Sequence, residues 1–201
     1  MDIEQVLQFW FGERINSATP SAQANLWWRK QPEVEQQIRE DFADGLRDLA
    51  EGKYRDWLHS ARGRLAAIIV LDQFSRNMYR DRPEAFAQDK LALDWCLEGL
   101  EDNIDLQLEP IERVFFYLPL EHSEDLQMQD LSCRKFAELL KCSSSTQTAQ
   151  ARGTYEDFSR YAERHREVIQ QFGRFPHRNK ILGRASTALE QQYLDTPGSG
   201  F

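Results

Sequence analysis

Apolar residues recur at a helical period along most of the chain. Between residues 32 and 52, Val34, Ile38 and Phe42 follow one another at steps of four. Such spacing places apolar side chains along one face of an α-helix. This segment begins with a proline and ends with a glycine, which are the residues that helix termini favour. The pattern therefore predicts an amphipathic helix that covers the whole segment.

The same reasoning predicts helices over most of the remaining chain, with no run of alternating apolar and polar residues that would indicate a sheet. Ser123 is predicted to cap its helix, and Thr187 with Glu190 has the spacing of a capping box. Residues 16–23 are predicted to form a turn, residues 143–150 a polar loop, and Pro119 is predicted to interrupt its helix. The other predicted helices cover residues 1–11, 62–80, 83–100, 110–118, 123–140, 155–172, 176–182 and 187–194.

Eight or nine helices joined by short loops predict an all-α fold. Consecutive helices with short connections tend to pack as antiparallel hairpins. A length of 201 residues suits one domain, so we expect a single helical domain over residues 1–201, with a frayed tail at 195–201.

The middle helix changes character along its length. Residues 65–71 are apolar on every side, which is typical of a helix surrounded by other helices. Beyond them, polar residues fall within an arc of about 140°, at about 100° per residue. This polar stripe continues a buried line and is expected to face a cleft. Its members are Asp72, Gln73, Arg76, Asn77 and Arg80.

Two arginines in this stripe need a counter-ion. Asp72 and Arg76 have the spacing of a favourable ion pair, whereas Arg76 and Arg80 repel each other at the same spacing. The anion could be a protein carboxylate, which makes the stripe a structural network, or a ligand, which makes it a binding site. The residues leave both interpretations open.

A second cationic segment lies near the end of the chain. Residues 168–189 contain no Asp or Glu, and their centre carries Arg174, His177, Arg178 and Asn179. A glycine and a proline there indicate a helix end followed by a new helix start, whose free N–H groups suit an anion. The alternative is that these cations only neutralise helix ends and cover apolar surface. We expect this segment and the polar stripe to meet in one cleft. Asp72 and Glu124 would supply at most two negative charges against the arginines there, so an excess of positive charge should remain for a ligand.

Histidines supply the weak catalytic candidates. His122 lies beside a predicted helix start with Glu124 two residues on, so the pair could transfer protons, and His177 is a third candidate. His165 falls on an apolar face, where a core role is the commoner one. No pair of ligands has the spacing of a helical zinc site, and no phosphate-binding loop occurs. We therefore predict no metal and no cofactor.

Charge and cysteine content narrow the classes of function. The net charge of −8 disfavours binding to nucleic acid or to an anionic membrane. The chain has three cysteines, Cys96, Cys133 and Cys142. Their odd number and the absence of a C-x-x-C motif indicate free thiols rather than disulfides or a zinc site. The first residues lack the basic region of a secretory signal, so a cytoplasmic location is expected.

Several motifs together resemble the bacterial family known as domain of unknown function 924. Each motif is given as it stands in this chain: VLQFWFG (6–12), WW (27–28), GRLA (63–66), LDQFSRN (71–77), AF (85–86), Arg113, FYLPL (116–120), HSE (122–124), FGRFPHRN (172–179), LGR (182–184) and ST (186–187).

The resemblance implies a helical fold like that of the tetratricopeptide-repeat superfamily, a TPR-like α–α superhelix, and it implies no activity. Two positions depart from the pattern that the resemblance implies. Glu121 stands where Met is expected, and Leu189 where an acid is expected. Neither is expected to bear on the candidate site.

Three functions are compatible with these residues. The first is a cleft that binds an anionic small molecule through a carboxylate or phosphate, with or without catalysis. The second is an adaptor that clamps an acidic peptide or a chain terminus. The third is a purely structural cluster. The oligomeric state stays open.

Overall fold

The computed structural model describes residues 1–13, 15–16, 19–143 and 149–200. Within these ranges the chain is helical and contains no strand, which confirms the all-α prediction. Nine α-helices can be followed in them: α1 Ile3–Phe11, α2 Thr19–Trp28, α3 Pro32–Ala50, α4 61–78, α5 Asp89–Glu101, α6 Pro110–Glu121, α7 Leu126–Ser143, α8 Ala149–Phe172 and α9 Ala188–Leu194.

The core forms around α4 and α6. Every residue from 65 to 71 has no exposed surface, as the all-round apolar pattern of this segment predicts. Trp10 of α1 and Phe115 of α6 pack edge to face against their aromatic neighbours in the same core. Consecutive helices α6, α7 and α8 pack against one another. A TPR-like superhelix and a single domain stay predictions.

Helix α4 is not uniform. It consists of an α-helical part Ala61–Ile69, a π-helical part Val70–Phe74 and a final α-helical part Ser75–Met78. A π-helical turn inserts an extra residue into the helix and rotates the residues after it about the helix axis. Arg80 lies beyond the helix end, in a turn where Asp81 has a positive φ of 63°, rather than on the helix as predicted.

The turn predicted at 16–23 is wrong beyond residue 18, because α2 begins at Thr19. Pro20 occupies the second position of this helix, where its missing N–H has no partner to lose. The Thr19 hydroxyl accepts a hydrogen bond from the backbone N–H of Asn16 at 2.8 Å. Packing of Trp27 in the core also favours the helix.

Two predicted helix boundaries near residue 120 are also wrong. Pro119 lies inside α6 instead of interrupting it. The cost of an internal proline, about 3 kcal/mol, is offset by the burial of nearly every side chain around it. Asp125, not Ser123, accepts the free N–H of Gln127 at the start of α7, at 2.7 Å.

Short 3₁₀ turns replace parts of two predicted helices. Residues Pro83–Phe86 form a separate turn before α5 begins at Asp89, and Pro176–Arg178 forms one turn where two were expected. The capping box of Thr187 and Glu190 is confirmed at the start of α9. The polar loop predicted at 143–150 lies largely outside the described residues. No helix in the described ranges is long and apolar enough to cross a membrane.

The three cysteines should react in the order of their exposure. Cys142 is exposed, Cys133 is partly buried and Cys96 is buried. Burial also raises the pKa of the Cys133 thiol to about 11 and that of Cys96 further. With a thiol reagent, native protein should label at Cys142 first and at Cys96 only on unfolding. Denatured, unreduced protein should give three thiols, and a result of one thiol would reveal a disulfide.

Candidate functional site

A cavity of about 590 Å³ lies between α2, the second half of α4, the end of α6 and α8. Its lining combines aromatic residues, which we call the wall, with polar residues, which we call the floor, and such a combination is usual in a small-molecule site. The aromatic lining residues are Trp27, Trp28, Phe136, Phe158 and Tyr161. The polar lining includes Gln73, Arg76, Asn77, Arg80, Glu121, His122 and His165, with Arg29 and Lys30 nearer the rim.

The aromatic wall is only partly covered by protein. Trp28 stacks on Phe115 with ring centroids 5.8 Å apart and lies at the same distance from Phe158. Even so, 49% of Trp28 and 49% of Tyr161 remain exposed. The two rings therefore offer apolar faces to whatever enters the cavity.

The end of α4 supplies the polar floor through a chain of hydrogen bonds. The Gln73 side-chain amide donates to Asp72 at 2.5 Å, and the Asn77 amide donates to the carbonyl of Gln73 at 2.9 Å. Arg80 donates to Glu35 of α3 at 2.6 Å and, less closely, to Asn77. These bonds fix the side chains of Gln73, Asn77 and Arg80, which line the cavity.

His122 and Asp72 form a close pair at the floor. Nδ1 of His122 lies 2.7 Å from Oδ1 of Asp72, whose carboxylate is only 1% exposed. Burial alone would raise the pKa of Asp72, but the charge of Arg76 and the hydrogen bonds from His122 and Gln73 hold that pKa well below its usual value. Burial, followed by the charge of Arg76, lowers the pKa of His122. The pair therefore consists of an ionised carboxylate and an imidazole that is neutral at pH 7.

Glu121 and His165 form a second buried pair beside the first. Oε1 of Glu121 lies 3.2 Å from Nδ1 of His165, which also donates to the Tyr161 carbonyl at 2.8 Å. Burial, and then the charge of Asp72, raise the pKa of Glu121 to about 8. Burial lowers the pKa of His165 to about 3. Both groups are therefore neutral near pH 7, and the expectation that Glu121 has no bearing on the site is wrong.

Asp89 joins the two cationic segments that the sequence singles out. Its carboxylate accepts two hydrogen bonds from Arg76, at 2.8 and 3.0 Å, and one from Arg178 at 3.3 Å. Arg178 also donates to the carbonyl of His122 at 3.0 Å. Its guanidinium lies between the rings of Phe86 and Phe175. Burial and the charge of Arg76 lower the pKa of Arg178 to about 10.

The predicted single cleft is only partly correct, because Arg174 and Asn179 belong to another cluster. Arg174 donates to both carboxylate oxygens of Glu190, at 2.6 and 2.8 Å, and Asn179 donates to Ser186 at 3.1 Å. Glu190 lies one residue beyond the acid-free segment. Its carboxylate therefore supplies the local counter-charge that the segment itself lacks.

Glu124 and His177 also stand outside the cavity. Glu124 accepts two hydrogen bonds from Arg184, at 2.7 and 2.9 Å, and one from the backbone N–H of Phe175. The Glu124 carboxylate thus attaches the C-terminal segment to the junction after α6. His177 packs near Phe175, with ring centroids 5.5 Å apart, and burial lowers its pKa to about 4. Within the described ranges neither residue lines the cavity.

The predicted surplus of positive charge at the two segments is wrong. It assumed that Asp72 and Glu124 alone oppose the arginines, whereas Asp89, Glu35 and Glu190 each hold at least one of them. The surplus lies instead at the rim, where no described residue forms an ion pair with Arg29. Among the described residues, no cluster of three or more His, Cys, Asp or Glu could hold a metal ion.

Sequence reasoning missed three kinds of residue. The only sequence feature of Asp89 is that it is an acid in the first turn of a helix, and this feature is too common to indicate a site. Glu121 carries no signal besides its departure from a family pattern. The aromatic wall contributed by Trp28 and Phe158 has no local signature, because α2 and α8 meet only in the folded chain.

Comparisons with known proteins give a family and name no activity. The model of a family described as "Bacterial protein of unknown function (DUF924)" matches residues 6–198. The structure of a protein of unknown function, ATU0120 from Agrobacterium tumefaciens, superposes with a TM-score of 0.79 at 30% identity, over 96% of each chain. No curated protein matches the sequence.

Proposed function

Since the chain belongs to the DUF924 family, whose description gives no activity, we propose from the geometry of the cavity that the protein binds a small organic anion with a flat, apolar body. One observation carries the proposal. Partly exposed aromatic rings and basic side chains line the same cavity of about 590 Å³. Ligand pockets usually combine an apolar lining with a few polar groups in one concave site.

The apolar body of the ligand would lie against Trp28, Phe158 and Tyr161. The rings of Trp28 and Phe158 already pack on neighbouring rings. Burying the exposed parts of two large rings would contribute about 25 cal/mol for each Å² of apolar surface removed from water. A planar ligand body suits offset or edge-to-face stacking on such rings.

The anionic group would lie on the basic side of the lining. The basic lining residues are Arg29, Lys30, Arg76 and Arg80. They outnumber the two acidic lining residues, Asp157 and Glu121, and the raised pKa of Glu121 keeps its carboxyl neutral. Arg76 and Arg80 already have protein carboxylates as partners. The anion is therefore expected to add to an existing network, with Arg29 and the outer edge of Arg80 as its main contacts.

The structural alternative has its own support at the second cluster. Arg174 is paired with Glu190, and Arg178 donates to Asp89 and to a backbone carbonyl. We assign these two arginines a role in stability and leave them out of the binding site. This division makes Arg174 a useful control residue.

We expect 3-phenylpropionate to raise the melting temperature of the protein. A ligand that binds only the folded state at one hundred times its Kd stabilises it by about 2.7 kcal/mol. The neutral 3-phenylpropionamide should have a smaller effect, because it retains the ring and lacks the charge. Thermal unfolding monitored by far-UV circular dichroism at increasing ligand concentration provides the measurement.

Matched variants separate the cavity from the rest of the chain. Trp28→Ala and Arg80→Gln should lose most of the ligand-induced shift, whereas Arg174→Gln should keep it even if its own melting temperature is lower. Equal shifts in all three variants would mean that the ligand binds outside the cavity.

A further inference from the structure

The geometry of the cavity floor points to catalysis. We propose that His122 and Glu121 form a general base and general acid that catalyse keto–enol tautomerisation of a 2-oxo acid with an aromatic side chain. The inference rests on the proposed ligand site and adds chemistry to it. His122 and Glu121 are neighbours in sequence, both line the cavity, and each contacts a different supporting residue.

The bond to Asp72 fixes which nitrogen of His122 can act as a base. An ionised carboxylate can only accept, so Nδ1 carries the proton and donates it to Asp72 at 2.7 Å. In the neutral ring, Nε2 then carries the lone pair, on the side of the imidazole opposite Asp72. Because a carboxylate behind a histidine orients the ring and stabilises its charged form, Asp72 is a positioning residue.

Glu121 is suited to be the acid. The residue is 5% exposed, and no Lys or Arg of the described ranges lies within ion-pair distance of its carboxyl. The ring nitrogen nearest to it, Nδ1 of His165, already donates to the Tyr161 carbonyl. Without a cationic partner the buried carboxyl keeps its proton, and its raised pKa agrees with this. A neutral carboxyl in an apolar site can donate a hydrogen bond to an enolate oxygen.

The step balances without a cofactor. Nε2 of His122 takes a proton from the carbon next to the ketone, and the electrons of that C–H bond form the new C=C bond. The electrons of the C=O double bond move to oxygen, which takes the proton of Glu121. The enol leaves behind an imidazolium and a carboxylate. One proton returns from His122 to Glu121 through water, and both groups are restored.

The lining indicates the class of substrate. The aromatic side chain would contact Trp28 and Phe158, and the carboxylate would lie on the side of Arg29 and Arg80. The enolisable carbon lies between these two ends of a 2-oxo acid. Such a molecule needs both aromatic and basic groups in its site, and both line this cavity.

Phenylpyruvate is the probe for the test, with exchange of its C3 protons for deuterium followed by NMR in D₂O. We expect wild-type protein to accelerate exchange well above the buffer rate. A positioned acid or base contributes about 100-fold or more, so His122→Gln and Glu121→Gln should each lose about that factor. His59→Gln is the matched control, since His59 is exposed on a distant 3₁₀ turn, and its rate should equal that of wild type.

Binding measured in parallel distinguishes the two proposals. If 3-phenylpropionate binds and wild-type protein does not accelerate exchange, the acid–base inference is overturned and the ligand site stands. If 3-phenylpropionate does not bind, the proposed function itself fails. Acceleration that survives in both variants would overturn the assignment of these residues.

A second measurement needs no substitution. The ¹⁵N chemical shifts of His122 in wild-type protein should show Nδ1 protonated and Nε2 unprotonated at pH 7. The opposite tautomer, or a doubly protonated ring, would overturn the role of His122 as the base, whether or not any variant folds.

Discussion

Replacing Asp89 with alanine should destabilise the protein by about 3 kcal/mol, since removal of one partner from a buried ion pair leaves the other charge uncompensated. Two guanidinium groups depend on this carboxylate. Arg178 is 6% exposed and has no other carboxylate within ion-pair distance in the described chain, while Arg76 retains Asp72. Urea denaturation of wild type and Asp89→Ala, followed by circular dichroism, gives the difference in free energy of unfolding.

Asp94→Ala is the matched control for this substitution. Asp94 lies on the same helix and pairs with Lys90 at 2.6 Å, but this pair is at the surface, with 84% of the lysine side chain exposed. Exposed pairs of this spacing contribute about 0.3–0.5 kcal/mol. If Asp89→Ala costs no more than Asp94→Ala, the bridge between α4 and the C-terminal segment does not contribute as described.

Replacing Glu121 with glutamine should stabilise the protein at high pH and leave its stability unchanged at low pH. In the folded protein burial raises the pKa of Glu121 from 4.5 to about 8. Between these two pH values the folded protein therefore keeps a proton on Glu121 that the unfolded chain loses. Below pH 4.5 the carboxyl is neutral in both the folded and the unfolded chain, so it does not affect the free energy of unfolding. Above pH 4.5 the free energy of unfolding falls by about 1.4 kcal/mol per pH unit, until the carboxyl of the folded protein ionises near pH 8.

At pH 9 the variant should thus exceed wild type by up to about 4–5 kcal/mol. The neighbouring histidines act in the opposite direction. Burial lowers the pKa of His165 to about 3, so below pH 6.5 the unfolded chain takes up a proton that the folded protein does not. The free energy of unfolding therefore falls as the pH drops below 6.5. Because His165, His122 and Asp72 are present in both proteins, the difference between the two pH–stability curves isolates Glu121.

Glu121→Met should show the same effect, because it also removes the ionisable group. Chemical denaturation of each protein from pH 4.5 to pH 9 provides the curves. Parallel curves for wild type and both variants would contradict a buried, neutral Glu121.

The helices were largely predictable because their signals are local. Apolar spacing and terminal residues identify α3, and the capping box of Thr187 and Glu190 identifies the start of α9. Wrong boundaries arose where packing outweighs local preference. Pro119 stays inside α6 because burial surrounds it, and residues 19–23 join α2 although their composition favours a turn.

The candidate site was predictable only in part, for a physical reason. Arg76, Asn77 and His122 are polar residues beside apolar segments, so their own neighbours reveal that they face a cleft. The partners of the arginines are distant in sequence. Asp89 binds Arg178 across 89 positions and Glu35 binds Arg80 across 45, and no local pattern predicts such pairs. The prediction of excess positive charge considered only acids close in sequence, and it therefore overestimated the charge available to a ligand.

The position of a bound ligand tests the central claim most directly. In a crystal structure of the protein grown with saturating 3-phenylpropionate, the aromatic ring should lie against Trp28 and Phe158. The carboxylate should lie within hydrogen-bond distance of Arg29 or Arg80. An empty cavity at saturating ligand, or a ligand seated at the cluster of Arg174 and Glu190 instead, would contradict the proposed binding site.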